Sequence, residues 1–231
     1  MTAVDLTSTS ISIPVDRGAI VGDLVIPANA NGIVLFAHGS GSGRFSSRNR
    51  YVAQSLNADN FGTLLLDLLT ESEDRQDQET RQLRFDIPLL SRRVTAAVDW
   101  SRVDPRTRDL PIGLFGASTG AAAALVAAAA RQVAVGAVVS RGGRPDLAGS
   151  MLARVHAPTL LIVGGADTVV IELNRLAMER LSSIREIAIV SGATHLFEEP
   201  GALEQVCSLA SGWFGKHLQL AAPVRISGSG A

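Results

Sequence analysis

Short, nearly continuous apolar runs recur along the chain at Ile33–Ala37, Thr63–Leu66, Ile112–Phe115, Ala137–Val139, Thr159–Val163 and Glu186–Val190. Strands buried on both faces have this texture, because neither side of the pleat meets water. The chain ahead of them is different. Ile11-Ser12-Ile13-Pro14-Val15 alternates, Asp16-Arg17-Gly18 turns, and Ala19–Ile26 returns, which predicts an antiparallel hairpin at one sheet edge. Helical segments are predicted between most of the buried strands, at Ser47–Asp59, Pro88–Val103, Ser118–Arg131 and Ile171–Ser182, with a last one at Ala202–Leu218. That last segment carries Leu203, Val206, Cys207, Ala210, Trp213, Phe214 and His217 at three- and four-residue spacing, the stripe of a helix with one apolar face. Strands alternating with helices predict an α/β fold, a mostly parallel sheet of about eight strands flanked by helices on both faces.

The punctuation between these runs sets the domain plan. The polar stretch Thr70–Arg84 reads as the only long irregular loop. The connection between Ser140 and Pro158 has room for one short helix, Pro145–Ala153, and none for a lid domain. No repeat or linker is visible, so residues 1–221 read as one domain and residues 222–231, ending Ser-Gly-Ser-Gly-Ala, as a disordered tail.

Composition narrows the function classes. The 231 residues are 46% hydrophobic with a formal net charge of −1, which gives no electrostatic case for nucleic acid or an anionic membrane. The single cysteine, Cys207, rules out an internal disulfide and a CxxC metal site, and its place on an apolar helical stripe marks it as core. Met1–Ser10 lacks the apolar stretch of a secretory signal, and Ala121–Ala130 is too short to span a bilayer. The expectation is a cytoplasmic monomer or homodimer without metal or cofactor.

The chemistry concentrates at Gly116-Ala117-Ser118-Thr119-Gly120, which follows one strand and precedes a helix. A strand, a Gly-x-Ser-x-Gly turn and a helix make a nucleophile elbow, which holds the serine Oγ out at the C-terminal edge of the sheet. A serine hydroxyl needs a base to take its proton and a carboxylate to orient that base. His195 lies just after the last strand and so falls at the same edge, whereas His156 precedes a strand and His217 lies in the final helix. Asp167, just past the strand Thr159–Val163, stands where the orienting acid belongs. Its alternative reading is the cap of the following helix, and Asp146 is its competitor, itself more like the cap of the short helix. Two backbone N–H groups are needed for an oxyanion hole. Thr119 supplies one, and the loop His38-Gly39-Ser40-Gly41-Ser42-Gly43 supplies the other, with Ser40 ahead of Gly41 and His38 bracing the loop. That loop lacks the lysine of a phosphate-binding loop. Arg44, Arg48, Arg50, Arg141 and Arg144 open on the catalytic edge, where Arg44 and Arg141 are the candidates to hold a substrate carboxylate or phosphate. The same side chains fit loop bracing against Asp67, Asp146 or the acids of 70–86.

His38-Gly39-Ser40-Gly41-Ser42, Gly116–Gly120, Gly164-Gly165-Ala166-Asp167 and Gly192-Ala193-Thr194-His195-Leu196-Phe197-Glu198 occur in this order along nearly the whole chain. The sequence thereby resembles the α/β-hydrolase superfamily, in particular its small dienelactone-hydrolase-like branch. Dienelactone hydrolases proper use a cysteine where this chain has Ser118, so their substrate class does not carry over. The residues and the resemblance together imply a serine hydrolase of carboxylic esters working through Ser118, His195 and Asp167, with thioester or amide cleavage as a variant, and the short connection from Arg141 to Ala157 predicts an open site for small soluble esters. The alternative is a non-catalytic binding module that keeps the hydrolase fold.

Overall fold

The computed structural model describes residues 7–218. Eight strands form one sheet: β1 (Thr9–Val15), β2 (Gly18–Val25), β3 (Ile33–Ala37), β4 (Gly62–Leu66), β5 (Ile112–Ala117), β6 (Val135–Arg141), β7 (Thr159–Gly164) and β8 (Arg185–Val190). Their spatial order is β1-β2-β4-β3-β5-β6-β7-β8. The hairpin partner β1 runs antiparallel to β2, β2 antiparallel to β4, and every later pairing is parallel. The tail expected at 222–231 lies outside the described residues.

Six α-helices cover the two faces: α1 (Ser47–Ala58), α2 (Glu71–Thr80), α3 (Ile87–Ser101), α4 (Thr119–Ala130), α5 (Thr168–Arg180) and α6 (Ala202–His217). Val52, Leu56, Val206, Cys207, Trp213 and Phe214 of α1 and α6 pack with Val34, Phe36, Phe115 and Val139 on one face. On the other face, Val94 and Val98 of α3 and the alanines of α4 pack with Leu35, Leu64, Leu114 and Val138. Ala121–Leu125 are fully buried. With mostly alanines to seat, α4 lies close against the sheet, and this brings its first turn up under the end of β5.

Some elements depart from the pattern-based expectation, among them β8, which lies at the sheet edge and is largely exposed rather than buried on both faces. Residues 70–84 are not an irregular loop: they hold α2 and a 3₁₀ turn at Leu83–Phe85. Every side chain of α2, Glu-Ser-Glu-Asp-Arg-Gln-Asp-Gln-Glu-Thr, is polar, so it has no apolar period to read. Its helix rests on a capping box instead. The Thr70 Oγ1 accepts from the Glu73 amide, and the Glu73 carboxylate accepts from the Thr70 amide. Arg93 of α3, 3% exposed, donates to Glu73 at 2.6 Å, and Arg84 donates to the buried Asp77 at 2.6 Å. The connection after β6 holds a 3₁₀ segment, Pro145–Arg154, kinked at Gly149, and no lid. No helix among the described residues is long and apolar enough to cross a membrane.

The sheet order places a topological switch at β3. The chain passes from β3 to β4 on one side and then returns to β5 on the other. Loops leaving the C-terminal ends of β3 and β5 diverge there, and crevices of this kind hold ligands in open α/β sheets.

Candidate active site

The loops at that edge meet around Ser118. It is the N-cap of α4 with φ 50° and ψ −123°, a region that costs a non-glycine residue about 1–3 kcal/mol. The elbow is fixed at both ends. The Ser118 amide donates to the Arg141 carbonyl of β6 at 3.2 Å, and the Arg144 amide donates to the Ser118 carbonyl at 3.0 Å. Both flanking glycines are required by close approach: a Cβ on Gly116 would lie 2.4 Å from the Ala121 Cα, and one on Gly120 would lie 2.2 Å from the Ala37 carbonyl oxygen.

His195 and Asp167 are brought together from two loops. His195 Nδ1 lies 2.7 Å from Asp167 Oδ2. The loops are tied to each other by the Ala166 amide donating to the Ala193 carbonyl at 2.9 Å. Helix α5 begins at Thr168, earlier than the apolar pattern indicates, so Asp167 is its N-cap. The Asp167 side chain makes no capping hydrogen bond; its carboxylate faces the imidazole instead. Asp146 is engaged elsewhere, accepting from Arg144 at 2.9 and 2.8 Å inside the 3₁₀ segment rather than capping it. His156 is exposed, and His217 stacks on Trp213 at the end of α6.

Ser118 and His195 open on one cavity of about 230 Å³, shared with Gly39, Ser40, Arg48, Asn49 and Arg141. Among the described residues, the amides of Ser40 and Thr119 have no protein acceptor. The loop that carries Ser40 is held by His38. Its Nδ1 bonds the Gly39 carbonyl at 2.9 Å, and its Nε2 accepts from the Leu68 amide at 3.1 Å, which fixes the neutral tautomer. Burial lowers the His38 pKa below the ordinary imidazole value, in keeping with a brace that stays uncharged.

The two candidate substrate arginines have different surroundings. Arg44 does not face Ser118. Its guanidinium is paired with Asp67 and lies 3.4 Å from Asp23, and its amide donates to Asp67 at 2.8 Å. The bracing role weighed against substrate binding is the one its contacts fill, because two carboxylates already occupy its charge. Arg141 lines the Ser118 cavity, is 6% exposed, and has no acid within ion-pair distance among the described residues. Its Nη2 donates to Asn49 Oδ1 at 3.2 Å, its Nε has no partner, and the Phe197 ring lies 5.9 Å beneath it. Burial, and then the neighbouring Arg48 charge, pull Arg141 down to about 10, which leaves it charged at neutral pH. Pattern reading gave no signal for Asn49, since an isolated Asn in a helix is ordinary in any chain, and Phe197 is visible only as part of the motif around His195.

A second, larger cavity of about 630 Å³ shares Gly39, Ser40 and Ser42 with the first and runs beneath α2. It is lined by Asp67, Asp74, Asp77, Arg44 and Arg84 among others.

Comparison with known proteins places these features in a family. The model of the alpha/beta hydrolase domain family matches residues 30–206. Two Mycobacterium tuberculosis proteins, from strains CDC 1551 and H37Rv, are each 57% identical over 199 residues, which is 86% of this chain and 44% of theirs. Both carry the name "Putative phosphoribosyl transferase". The chain thus spans less than half the length of these relatives. Among solved structures, a dienelactone hydrolase from Anabaena variabilis is 55% identical with TM-score 0.92, over 94% of this chain and 100% of that one. Est1E from Butyrivibrio proteoclasticus shares the fold at 15% identity and TM-score 0.74, over 90% of this chain and 98% of that one.

Proposed function

Because the chain belongs to the alpha/beta hydrolase domain family, whose neighbours support a hydrolase, we propose that it is a serine hydrolase of small carboxylic esters, with Ser118 as nucleophile, His195 as base and Asp167 as the orienting acid. The observation that carries this reading is the 2.7 Å contact between His195 and Asp167, on the same cavity as a strained, half-buried Ser118. A module that only bound ligands would have no use for a serine held at φ 50° beside such a pair.

In this reading Ser118 Oγ attacks the ester carbonyl carbon while His195 Nε2 takes its proton, and Asp167 holds Nδ1–H and stabilises the imidazolium that forms. Negative charge grows on the carbonyl oxygen, where the free Ser40 and Thr119 amides and the N-terminus of α4 favour it. The C–O bond breaks, the leaving alcohol takes the proton from His195, and Ser118 is left acylated. Water then attacks the acyl carbon with His195 again as base, which releases the acid and restores Ser118. A cavity of about 230 Å³ suits a short acyl chain.

The test joins labelling to rate. A fluorophosphonate should add once to the protein, at Ser118, as read by intact mass and peptide mapping, and Ser118→Ala should lose both the adduct and about 10⁶ in kcat. Acetate and butyrate p-nitrophenyl esters should be cleaved faster than the palmitate ester. An adduct on another serine, or esterase activity that survives Ser118→Ala, would overturn the assignment.

A further inference from the structure

We propose that the Ser118 cavity contains an oxyanion subsite built for a phosphate dianion, formed by Arg141, Arg48 and the N-terminus of α1, so that the substrate is an ester that also bears a phosphoryl group. For its substrate class this rests on the hydrolase reading above, but the subsite itself does not depend on turnover.

The case begins with charge that has no partner. A buried ion without a counter-charge is expensive, and proteins normally pair it. The other well-buried arginine near this end of the sheet, Arg93, meets Glu73 at 2.6 Å. Arg141 is also buried, yet its one side-chain hydrogen bond goes to a neutral amide oxygen, and no carboxylate among the described residues meets it. Arg141 lines the cavity that Ser118 and His195 share. A second guanidinium, Arg48, borders the same cavity with its Nε also unpartnered. The acid that meets Arg48 is Glu198, at 3.0 Å and largely exposed, on the outer side. His195 and its Asp167 complete the ionisable groups at this site.

The third component is the start of a 12-residue helix. Ser46 caps α1 through Oγ, which accepts from the Asn49 amide, and no acidic residue lies in the first turn. Among the described residues, the Ser47 and Arg48 amides have no protein acceptor. Ser46, Arg48 and Asn49 all line the cavity. A helix N-terminus with free amides favours an anion. The unpaired charge of Arg141, the helix N-terminus and the donors that Arg48 keeps beside its outer pair with Glu198 converge here, and a tetrahedral dianion can accept from both forks and from the amides together. Asn49 serves both parts, since its backbone amide takes the cap and its side-chain oxygen orients Arg141.

Two measurements test this. Inorganic phosphate, titrated by calorimetry, should bind the wild-type protein and equally Ser118→Ala, a result independent of any hydrolysis. Binding should weaken about ten- to a hundredfold in Arg141→Met and in Arg48→Gln, the range for a lost hydrogen bond to a charged group. Arg48 is partly exposed, so Arg48→Gln reports even if Arg141→Met melts early. In parallel, p-nitrophenyl esters of butyrate, hemisuccinate and 3-phosphonopropionate compare a neutral, a monoanionic and a dianionic acyl group of similar size. The phosphonate should have the highest kcat/KM, and its advantage over butyrate should collapse in both arginine variants. Absence of phosphate binding, or a phosphonate no better than butyrate, overturns the subsite. A hemisuccinate that matches or exceeds the phosphonate overturns the dianion assignment. Loss of all ester cleavage with phosphate binding intact would instead count against the hydrolase reading and leave the subsite standing.

Discussion

Two cavities meet at Gly39, Ser40 and Ser42, and their charges are arranged in opposite ways. In the larger one, beneath α2, each arginine has a carboxylate: Arg44 is paired with Asp67 and Arg84 with Asp77. In the smaller one, Arg141 has an amide oxygen for company and faces the groups that surround Ser118. The first arrangement is self-sufficient and holds loops together. The second is incomplete without something negative from outside. Arg48, the other arginine of the smaller cavity, is shared with the exposed Glu198, so the contrast in partnering rests on Arg141 against Arg44 and Arg84.

If chemistry belongs to the smaller cavity, the largest effects should come from it. Asp167→Asn keeps the shape of the side chain but removes the charge that stabilises the His195 imidazolium and selects its tautomer. We expect kcat to fall by about 10⁴, with fluorophosphonate labelling of Ser118 slowed in proportion. Steady-state kinetics on p-nitrophenyl acetate check this. If Asp167→Asn is mild and Asp146→Asn crippling, the acid has been assigned to the wrong residue, although Asp146 is held by Arg144 at 2.8 Å in the structure.

The contrast between the cavities also marks where the sequence is legible. Ser118, Asp167 and His195 each follow an apolar strand, so the strand pattern alone puts them at one edge, and 2.7 Å between His195 and Asp167 is the outcome. The sheet was readable for the same reason: buried strands such as Leu64–Leu66 and Leu160–Val163 have nothing but apolar residues to show. Helix α2 was not readable, because its helicity comes from the Thr70 and Glu73 cap and from ion pairs to distant residues, and no apolar stripe records them. Arg44 and Arg141 looked alike for a related reason. Both follow strand ends, and what distinguishes them is whether Asp67 or Asn49, far away along the chain, folds against them.

The next effect should fall on stability rather than rate. Asp77 of α2 is 2% exposed. Burial by itself would raise its pKa, but hydrogen bonds from the Arg84 backbone and guanidinium outweigh that and hold it below the ordinary carboxylate value. A depressed carboxyl contributes stability that is present above the unfolded pKa and is lost as pH falls through the folded one. Asp77→Asn should therefore cost about 1–3 kcal/mol at neutral pH, by leaving Arg84 without its acid. The deficit relative to wild type should start to shrink as the pH falls past the unfolded carboxyl value of about 4, and should close only below the lower folded pKa, where the wild-type carboxylate is itself protonated. Thermal melts at pH 7 and at acid pH measure both. A deficit that stays constant, or grows, on acidification would mean that Asp77 is not the acid that anchors α2.

The smallest effect is expected at Arg44, and it bears most directly on the comparison. Its guanidinium is about one-fifth exposed and shared between Asp67 and Asp23, with Phe45 stacked 4.1 Å away. Partly solvated pairs of this kind contribute about 0.2–1 kcal/mol, and the backbone amide of residue 44 can still donate to Asp67 whatever side chain it carries. Arg44→Gln should thus lower the melting temperature by at most a few degrees. The ratio of kcat/KM for the phosphonopropionate ester to that for the butyrate ester should stay at its wild-type value, while Arg141→Met and Arg48→Gln depress it. Charge alone cannot produce that split, because all three substitutions remove one guanidinium from the same end of the sheet. If Arg44→Gln lowers the ratio as far as Arg141→Met does, general positive potential rather than the guanidiniums that line the smaller cavity governs the anion preference, and the division between the two cavities does not hold.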